Sequence, residues 1–534
     1  MSESMRIARR RNMMVFNNYA NRAPSKPDSF QGYELYNIKQ VGAVEAGLVE
    51  PVVPRPTNYN LTRALISSLD LILNYAATSN LGPTRSSRIY YLWFFSVATA
   101  YQWAQSSPRI SGTKDGWNWS TLHPVGSQLN LCVWILSALE VINAKFVAGY
   151  TAPWSALSAA YLISGSELDE LKINVKTDSQ FSVWSSAYAT WWSARAADGH
   201  AAAAVPPTDA ELPNGATRLD VGLTQDPAAF PSPESWAPLK IGAASQKYLT
   251  YNWLNVTSPA ALTADNQNAI DAAANVYYPD VSERTNEIAE VVSIANTLTD
   301  TQKVIAEFWA GGPFTVSPPG MMIWMWKHYV YGKNSQPDLF VWSGLDLSLH
   351  LFEMGRIVWG LKKAHMEARP IQEIRRLYRG QTVKKYDGTD ILGESWVPYQ
   401  ETNFVTPPFA DFPSGHSAYS RCFANVMNAW FGTSIDSAVN VNLSDITLIS
   451  PALSPQTVSF GSFVVGTGAS LIQPGAVPSA PISLVWSTWN DLAESAGISR
   501  KYGGIHATSA HTGSVAAADA LHSALNTNFP IPIV

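Results

Sequence analysis

The tetrapeptide Pro413-Ser414-Gly415-His416 is the stretch around which the rest of this sequence is organised. It lies between a proline-rich loop and a run with helical character, so the Ser-Gly pair is predicted to open a helix. The first amides of a helix have no intrahelical partner, and the helix dipole adds partial positive charge there. The turn therefore suits a small anion, although an ordinary serine N-cap has the same sequence pattern.

The upstream segment 344–369 has apolar residues at helical spacing that run through Trp359 to Lys362. Arg369 lies seven residues further, about two helical turns, and is predicted to point the same way before Pro370 ends the helix. A cation that extends an apolar face is costly to bury unless an anion pairs with it. The alternative is a solvated, lysine-rich helix end.

The downstream segment combines a cation with an imidazole. Arg500 precedes the Gly503-Gly504 turn, and His506 is predicted to begin the next helix. A neutral imidazole is a good metal ligand when a partner orients its second nitrogen. Each segment alone has a structural explanation, but three cations, a glycine-flanked turn and two imidazoles together favour a site for a small, highly charged oxyanion.

Composition restricts the class of protein. A chain of 534 residues exceeds the size at which one core stops growing, so two packed subdomains or one elaborated domain are expected. A net charge of −5 gives no basis for nucleic-acid binding. Two cysteines are too few for a disulfide framework. The most apolar stretch, 89–104, is short and interrupted by polar residues, and the N-terminus has no signal-peptide core, so we expect a soluble protein without a membrane span, in an unassigned compartment.

Apolar periodicity predicts a mainly α-helical protein of two packed helix bundles. Residues 1–60 are predicted to form an extended N-terminal arm, through which a homo-oligomer could assemble. An N-terminal bundle is expected over 61–300, with a long loop at 205–247. A C-terminal bundle over 301–534 is expected to carry the site, with an insertion at about 440–486.

The residue pattern of that insertion differs from the pattern of the helical runs on either side. Its β-branched and aromatic segments 446–449 and 458–463 are predicted to form a small β-hairpin or a pair of short strands.

The three site segments resemble the tripartite signature shared by the vanadium-dependent haloperoxidases and the type-2 phosphatidic-acid-phosphatase/acid phosphatase superfamily. The resemblance is carried by Lys362-x6-Arg369-Pro370, Pro413-Ser414-Gly415-His416 and Ser499-Arg500-x5-His506. It covers Lys362 to His506, with a weaker match at 307–309. The length of the chain, the lack of membrane spans, the Tyr502-Gly503-Gly504-Ile505-His506 run and the position of Trp359 favour the haloperoxidase branch.

The resemblance implies vanadate as the cofactor, with vanadium at +5, and a two-bundle haloperoxidase fold. The resemblance implies that His506 binds vanadium and that Lys362, Arg369 and Arg500 neutralise the vanadate oxygens. The Ser414 hydroxyl and the Gly415 amide would donate hydrogen bonds to those oxygens. His416 would be the acid–base group, with help from Lys362, and Trp359 and Phe409 would form a halide pocket.

The implied reaction is oxidation of bromide or iodide by hydrogen peroxide to hypohalous acid, which would halogenate a small organic acceptor. Chloride is a further candidate, because Phe409 stands where many bromoperoxidases have histidine. Two alternatives from other classes are an acid phosphatase that acts through a phosphohistidine at His506, and an inactive homologue used in assembly.

Two positions depart from the family pattern. Ala507 follows His506 where an aromatic residue is usual, and Ala510 stands where many relatives have an acid that orients the ligating histidine. Ser509, His511 or a backbone carbonyl is therefore expected to take over that orienting contact.

Overall fold

The structure, a computed structural model, describes residues 60–450 and 453–533. The predicted arm at 1–60 lies outside the described residues except for Asn60, whose side chain caps the first helix by accepting from the Arg63 amide at 3.3 Å. Within the described ranges, no helix is long and apolar enough to cross a membrane.

Helices dominate the described chain, as predicted. Those before residue 300 are α1 (Leu61–Thr78), α2 (Gly82–Trp103), α3 (Gln128–Asn143), α4 (Trp154–Tyr161), α5 (Gly165–Thr177), α6 (Ser179–Ala196), α7 (His200–Ala203), α8 (Ala264–Asn275) and α9 (Val281–Asn296). Those that follow are α10 (Asp300–Phe308), α11 (Ser317–Gly332), α12 (Pro337–His365), α13 (Pro370–Leu377), α14 (Gly415–Phe431), α15 (Trp489–Tyr502) and α16 (Thr508–Asn528). The predicted mainly α-helical class is confirmed.

The strands are short and peripheral. They are β1 (Thr113–Lys114), β2 (Trp117–Asn118), β3 (Leu219–Asp220), β4 (Leu239–Ile241), β5 (Ala244–Ser245), β6 (Thr382–Lys384), β7 (Asp390–Leu392), β8 (Asn440–Leu443), β9 (Gln456–Ser459), β10 (Ser462–Val465) and β11 (Ile482–Val485). Except for the parallel β3–β4 pair, all pairings are antiparallel.

The insertion near 440–486 holds two antiparallel pairs, β8 with β9 and β10 with β11. The prediction of a strand at 446–449 was wrong, because Ile446–Leu448 forms a 3₁₀ turn. The prediction at 458–463 ran across a turn, since β9 ends at Ser459 and β10 begins at Ser462. Short apolar runs leave strand and turn ambiguous when their pairing partner is distant in sequence.

One large hydrophobic core includes residues from Leu61 to Ile531. A smaller core packs the predicted loop at 205–247 against α9 and α13, through Leu239, Ile288 and Ile371. The Trp236 amide also donates to the Met366 carbonyl at 2.6 Å. These contacts fix the connection between α12 and α13, which carries Arg369 and follows the helical turn of Lys362. The boundary between two bundles at residue 300 stays a prediction.

Helix α12 packs closely against α2 because Gly344 has no side chain. A Cβ added at Gly344 would collide with the buried ring of Phe94. We expect Gly344→Ala to lower the free energy of unfolding by about 1–3 kcal/mol, the usual effect of overpacking. Gly165→Ala is the matched control, since nothing lies within 4 Å of its added Cβ. Denaturant titrations followed by circular dichroism measure both, and equal effects would contradict the close-packing argument.

Candidate active site

Five of the predicted site residues converge from separate elements. They are Lys362 in the last turn of α12, Arg369 immediately before α13, His416 in the first turn of α14, Arg500 in the last turn of α15, and His506 in the connection between α15 and α16. Four of these five residues, all except His416, are no more than 2% exposed to solvent.

The route by which Arg369 reaches the site differs from the prediction. Helix α12 ends at His365, and Met366 adopts a left-handed conformation with φ of 48°. Arg369 is the N-cap residue of α13, with Pro370 in the first helical position, where its missing N–H is harmless. The prediction of one helix face for Lys362 and Arg369 was therefore wrong. The chain turn brings them together instead.

Backbone carbonyls hold the cations in place. Lys362 Nζ donates to the carbonyls of Ala410 and Asp411, both at 2.8 Å. Arg369 Nε donates to Phe409 O at 2.8 Å, and its Nη1 donates to Ile505 O at 2.8 Å. The loop before Ser414 thus wraps two of the cations. Its carbonyl oxygens carry only partial negative charge, and its one carboxylate, Asp411, lies 3.9 Å from Arg369 Nη1.

Arg500 is held in the same way, because its Nη1 donates a hydrogen bond to the Trp309 carbonyl oxygen at 3.1 Å. Two N–H groups of the cluster, Arg369 Nη2 and Arg500 Nε, are buried without a hydrogen-bond partner. Unpaired buried donors are costly, so they indicate a missing acceptor.

Electrostatics supports the same conclusion. Burial, with the nearby charge of Arg369, lowers the pKa of Lys362 well below its usual value. Burial lowers the pKa of Arg369 to about 10, and burial together with Arg369 lowers that of Arg500 to about 9. Burial is the largest cause for each cation, and the positive charge of a neighbouring arginine adds to it. A bound polyanion would stabilise the charged forms, so these residues fit vanadate.

His506 presents one ring nitrogen to the cations. Its Nδ1 makes a very short hydrogen bond to Asp411 Oδ1. A carboxylate only accepts, so Nδ1 carries the hydrogen and Nε2 keeps a lone pair. Nε2 lies 3.1 Å from Arg369 Nη1. A guanidinium N–H only donates, so the Nε2 lone pair accepts from Arg369 and faces the cation cluster.

Asp411 is the residue that sequence reasoning missed. It is fully buried, and its Oδ2 accepts from Arg284 Nη2 at 2.8 Å. Burial alone would raise the pKa of this carboxyl, but His506 and Arg284 hold it well below its usual value. The available signal was a single acid in the apolar run Phe409-Ala410-Asp411-Phe412.

The expected substitutes for an acid at Ala510 do not contact His506. Ser509 donates to Glu287 at 2.8 Å, and His511 contacts Ser417 Oγ at 2.9 Å. Ala510 contributes its carbonyl, which accepts from the Ser414 amide at 2.8 Å. These expectations were wrong, because the orienting acid comes from 95 residues upstream of His506.

The Ser414–Gly415 turn opens α14 as predicted. Ser414 is the N-cap, and its Oγ accepts from the Ser417 amide at 3.4 Å, so its hydroxyl hydrogen remains available. Gly415 is the first helical residue and its amide has no helical carbonyl ahead of it. A Cβ added at Gly415 would make only ordinary contact with Trp359, at 3.7 Å, so packing in the protein alone does not require glycine here.

His416 is connected to Arg500 through one carbonyl. His416 Nε2 lies 2.8 Å from Trp309 O, the same oxygen that Arg500 approaches. A carbonyl only accepts, so Nε2 carries the hydrogen and Nδ1 is the nitrogen free to take a proton. Burial, then the charge of Arg500, lowers the pKa of His416 well below 6.5, so the ring is neutral near pH 7.

The lowered pKa of His416 predicts a loss of stability in acid. Below about pH 6.5 the unfolded chain binds a proton at this ring while the folded, vanadate-free protein does not, so its free energy of unfolding falls with pH. The loss from this residue should therefore grow as the pH falls from 7 to 5. The free energy of unfolding of His416→Gln should fall less over the same range. Urea titrations of both proteins at the two pH values measure the difference, and identical losses would contradict a neutral His416.

Trp359 and Phe409 lie beside the cations. Their rings are 4.9 Å apart, and Lys362 Nζ is 5.1 Å from the centre of the Phe409 ring. Trp359 Nε1 donates to Leu249 O at 2.9 Å, which fixes the indole. Both residues line a cavity of about 250 Å³ that also reaches His416 and His506.

Comparison with known proteins found a matching family model and similar solved structures. The family model for the VCPO second helical-bundle domain matches residues 346–525, which include every predicted site residue. The predicted resemblance to vanadium-dependent haloperoxidases is confirmed. No curated protein matches the sequence.

Solved haloperoxidase structures share the fold at low identity. A holo-type bacterial vanadium-dependent chloroperoxidase is 15% identical with a TM-score of 0.54, over 84% of this chain and 94% of that chain. The apo-type enzyme is 14% identical, with a TM-score of 0.54 over 84% and 95%. A bacterial vanadium-dependent iodoperoxidase is 16% identical, with a TM-score of 0.53 over 89% and 97%. At this identity the haloperoxidase likeness concerns the fold.

Proposed function

We propose that this protein is a vanadate-dependent haloperoxidase that uses hydrogen peroxide to oxidise bromide or iodide, with chloride a further candidate, to hypohalous acid. The observation that carries the proposal is the cluster of three buried cations beside His506, whose unprotonated Nε2 faces Arg369. The likeness to structures described as chloro- and iodoperoxidases supports the same reaction class.

The donor set suits an oxyanion more than a simple metal cation. In the described part of the chain, no group of three or more His, Cys, Asp or Glu residues could hold a metal ion. Lys362, Arg369 and Arg500 would hold the vanadate oxygens by charge, and the Ser414 hydroxyl and Gly415 amide would donate to them. His506 would bind the metal through Nε2, in the orientation that Asp411 imposes.

Bound vanadate would supply a Lewis acid that activates hydrogen peroxide toward the halide. The chain's own residues prepare the partners. His416 would take a proton from hydrogen peroxide at Nδ1. Lys362 would add positive charge beside the oxygen that the halide attacks. Trp359 and Phe409 would present an apolar surface that removes water from the halide as it approaches.

The test is a halogenation assay on the purified chain. After equilibration with orthovanadate, we expect hydrogen peroxide and bromide to brominate phenol red, and no bromination without vanadate. Parallel rates with chloride, bromide and iodide would define the halide range. Rapid cleavage of p-nitrophenyl phosphate with no halide oxidation would instead indicate a phosphatase that acts through His506. No turnover with either substrate would indicate an assembly role.

A further inference from the structure

The cavity beside the candidate active site is larger than peroxide and halide require. Its inner end reaches Gly415, His416 and His506, and its volume is about 250 Å³. An apolar cavity of about 150 Å³ holds benzene. By this measure, the space would hold a compound of about two fused rings next to the catalytic histidine.

The wall of the cavity is rigid and apolar. Five prolines line it, namely Pro83, Pro313, Pro318, Pro407 and Pro408. Four aromatic side chains complete the wall, namely Trp359, Phe404, Phe409 and Tyr419. A wall with little conformational freedom costs little to order around a ligand, so apolar contact converts efficiently into affinity.

The two histidines in the wall, when protonated, are the described lining residues that can carry a positive charge. The described residues that line the cavity include no Lys, Arg, Asp or Glu. Several of the polar side chains already bond to backbone carbonyls: Thr315 Oγ1 donates to Gly312 O at 2.8 Å, and Ser317 Oγ donates to Val316 O at 2.7 Å. Burying a charged ligand against such a wall costs free energy that no partner recovers.

We propose that this cavity binds the halogen acceptor, an uncharged, electron-rich ring compound of about two rings, and that the acceptor is halogenated where it is bound. The inference rests on the proposed function, because the halogen source is the hypohalous acid formed at the inner end of the same cavity. A bound acceptor at that end would meet the reagent before it diffuses into water.

The halogenation step is balanced without a further reactant. A π-electron pair of a ring carbon forms the carbon–halogen bond, and the oxygen–halogen bond breaks with its electron pair kept by oxygen. The hydroxide so formed takes the proton lost by the same ring carbon. The halogenated ring and one water molecule leave.

Direct binding is the first test, with β-naphthol as the probe and the orthovanadate-equilibrated protein without peroxide or halide. β-Naphthol is bicyclic, electron-rich and uncharged at neutral pH, and its fluorescence can be excited where tryptophan does not absorb. We expect saturable binding to the wild-type chain. No saturable binding would overturn the proposal.

Gly312→Leu is the variant that fills the cavity. An added Cβ there would lie 3.9 Å from Phe404, and Gly312 does not require a left-handed backbone. We expect it to weaken β-naphthol binding by at least about tenfold, the loss of ~1.4 kcal/mol. Gly466→Leu is the matched control, because nothing lies within 4 Å of its Cβ and it does not line the cavity. Equal affinity in the wild-type chain and Gly312→Leu would overturn the assignment, and unchanged circular dichroism in both variants would show that they fold.

Competition with phenol red is the second test, since its sulfonate should keep this bulky dye out of the uncharged cavity. With both compounds present, we expect the wild-type enzyme to favour bromination of β-naphthol by about tenfold more than added hypobromite does. Gly312→Leu should fall to the ratio of the free reagent. A wild-type ratio equal to that of free hypobromite would overturn halogenation in the cavity. Intact β-naphthol binding with bromination of neither compound would overturn the proposed function, and with it this step.

Discussion

Replacing His416 with alanine is expected to lower the rate of bromide oxidation by about 10²–10⁴-fold, the usual contribution of a positioned acid–base group. Vanadate should still bind, because the three cations and His506 are unchanged. The geometry that supports this separation is the free Nδ1 of His416, whose Nε2 is engaged by the Trp309 carbonyl at 2.8 Å. Steady-state bromide oxidation measures the first effect, and vanadium NMR or equilibrium dialysis measures the second.

His511→Ala is the matched control for His416. It removes another imidazole from the same region, one that contacts Ser417 and Glu494 and not the cation cluster. We expect that variant to keep most of its activity. If His416→Ala lost vanadate instead, the acid–base and metal-binding roles of His416 and His506 would have to be exchanged.

Replacing Asp411 with alanine is expected to have the second large effect, on both stability and vanadate affinity. Removing one partner of a buried ion pair costs about 3–5 kcal/mol when the other charge is left unpaired. Here Arg284 would lose its 2.8 Å contact but keep Glu367 at 3.3 Å and Glu287 at 3.7 Å, so we expect a smaller loss of stability. His506 would also lose the acceptor that holds its Nδ1 hydrogen, and loss of such a contact weakens metal binding by about 10–100-fold. Denaturant titration and vanadate dialysis measure the two effects.

Asp411→Asn separates orientation from charge. The amide oxygen can still accept from His506 Nδ1, so vanadate affinity should fall less than in Asp411→Ala. Arg284 would lose the negative charge of Asp411 in both variants and keep Glu367 and Glu287, so stability should fall in both. Equal losses of vanadate affinity in the two variants would indicate that the charge of Asp411, and not its hydrogen bond, supports His506.

Local chemistry made much of the site predictable. Lys362, Ser414, Gly415, Arg500 and His506 all lie in or beside helix ends, where spacing, proline and glycine are informative. Arg369 was assigned to the site by motif, but the wrong helix was expected to carry it. The left-handed Met366 decided that outcome, and a left-handed methionine has no reliable sequence signature.

Other parts of the site depend on contacts between distant segments. Asp411 pairs with His506 across 95 residues and with Arg284 across 127. The Trp309 carbonyl joins His416 to Arg500, and a backbone oxygen has the same chemistry in every residue. The wall of the cavity combines residues from Pro83 to Tyr419.

The sequence by itself determined the helical class and the three segments that carry the cations and imidazoles, because periodicity and helix-end chemistry are local properties. At Ser414-Gly415-His416 it also determined where α14 begins. Only the tertiary structure decided that Asp411 orients His506, which nitrogen of each imidazole carries the hydrogen, and that an uncharged cavity adjoins them. Those features arise from packing between segments that are far apart in the chain, and no local pattern encodes such pairings.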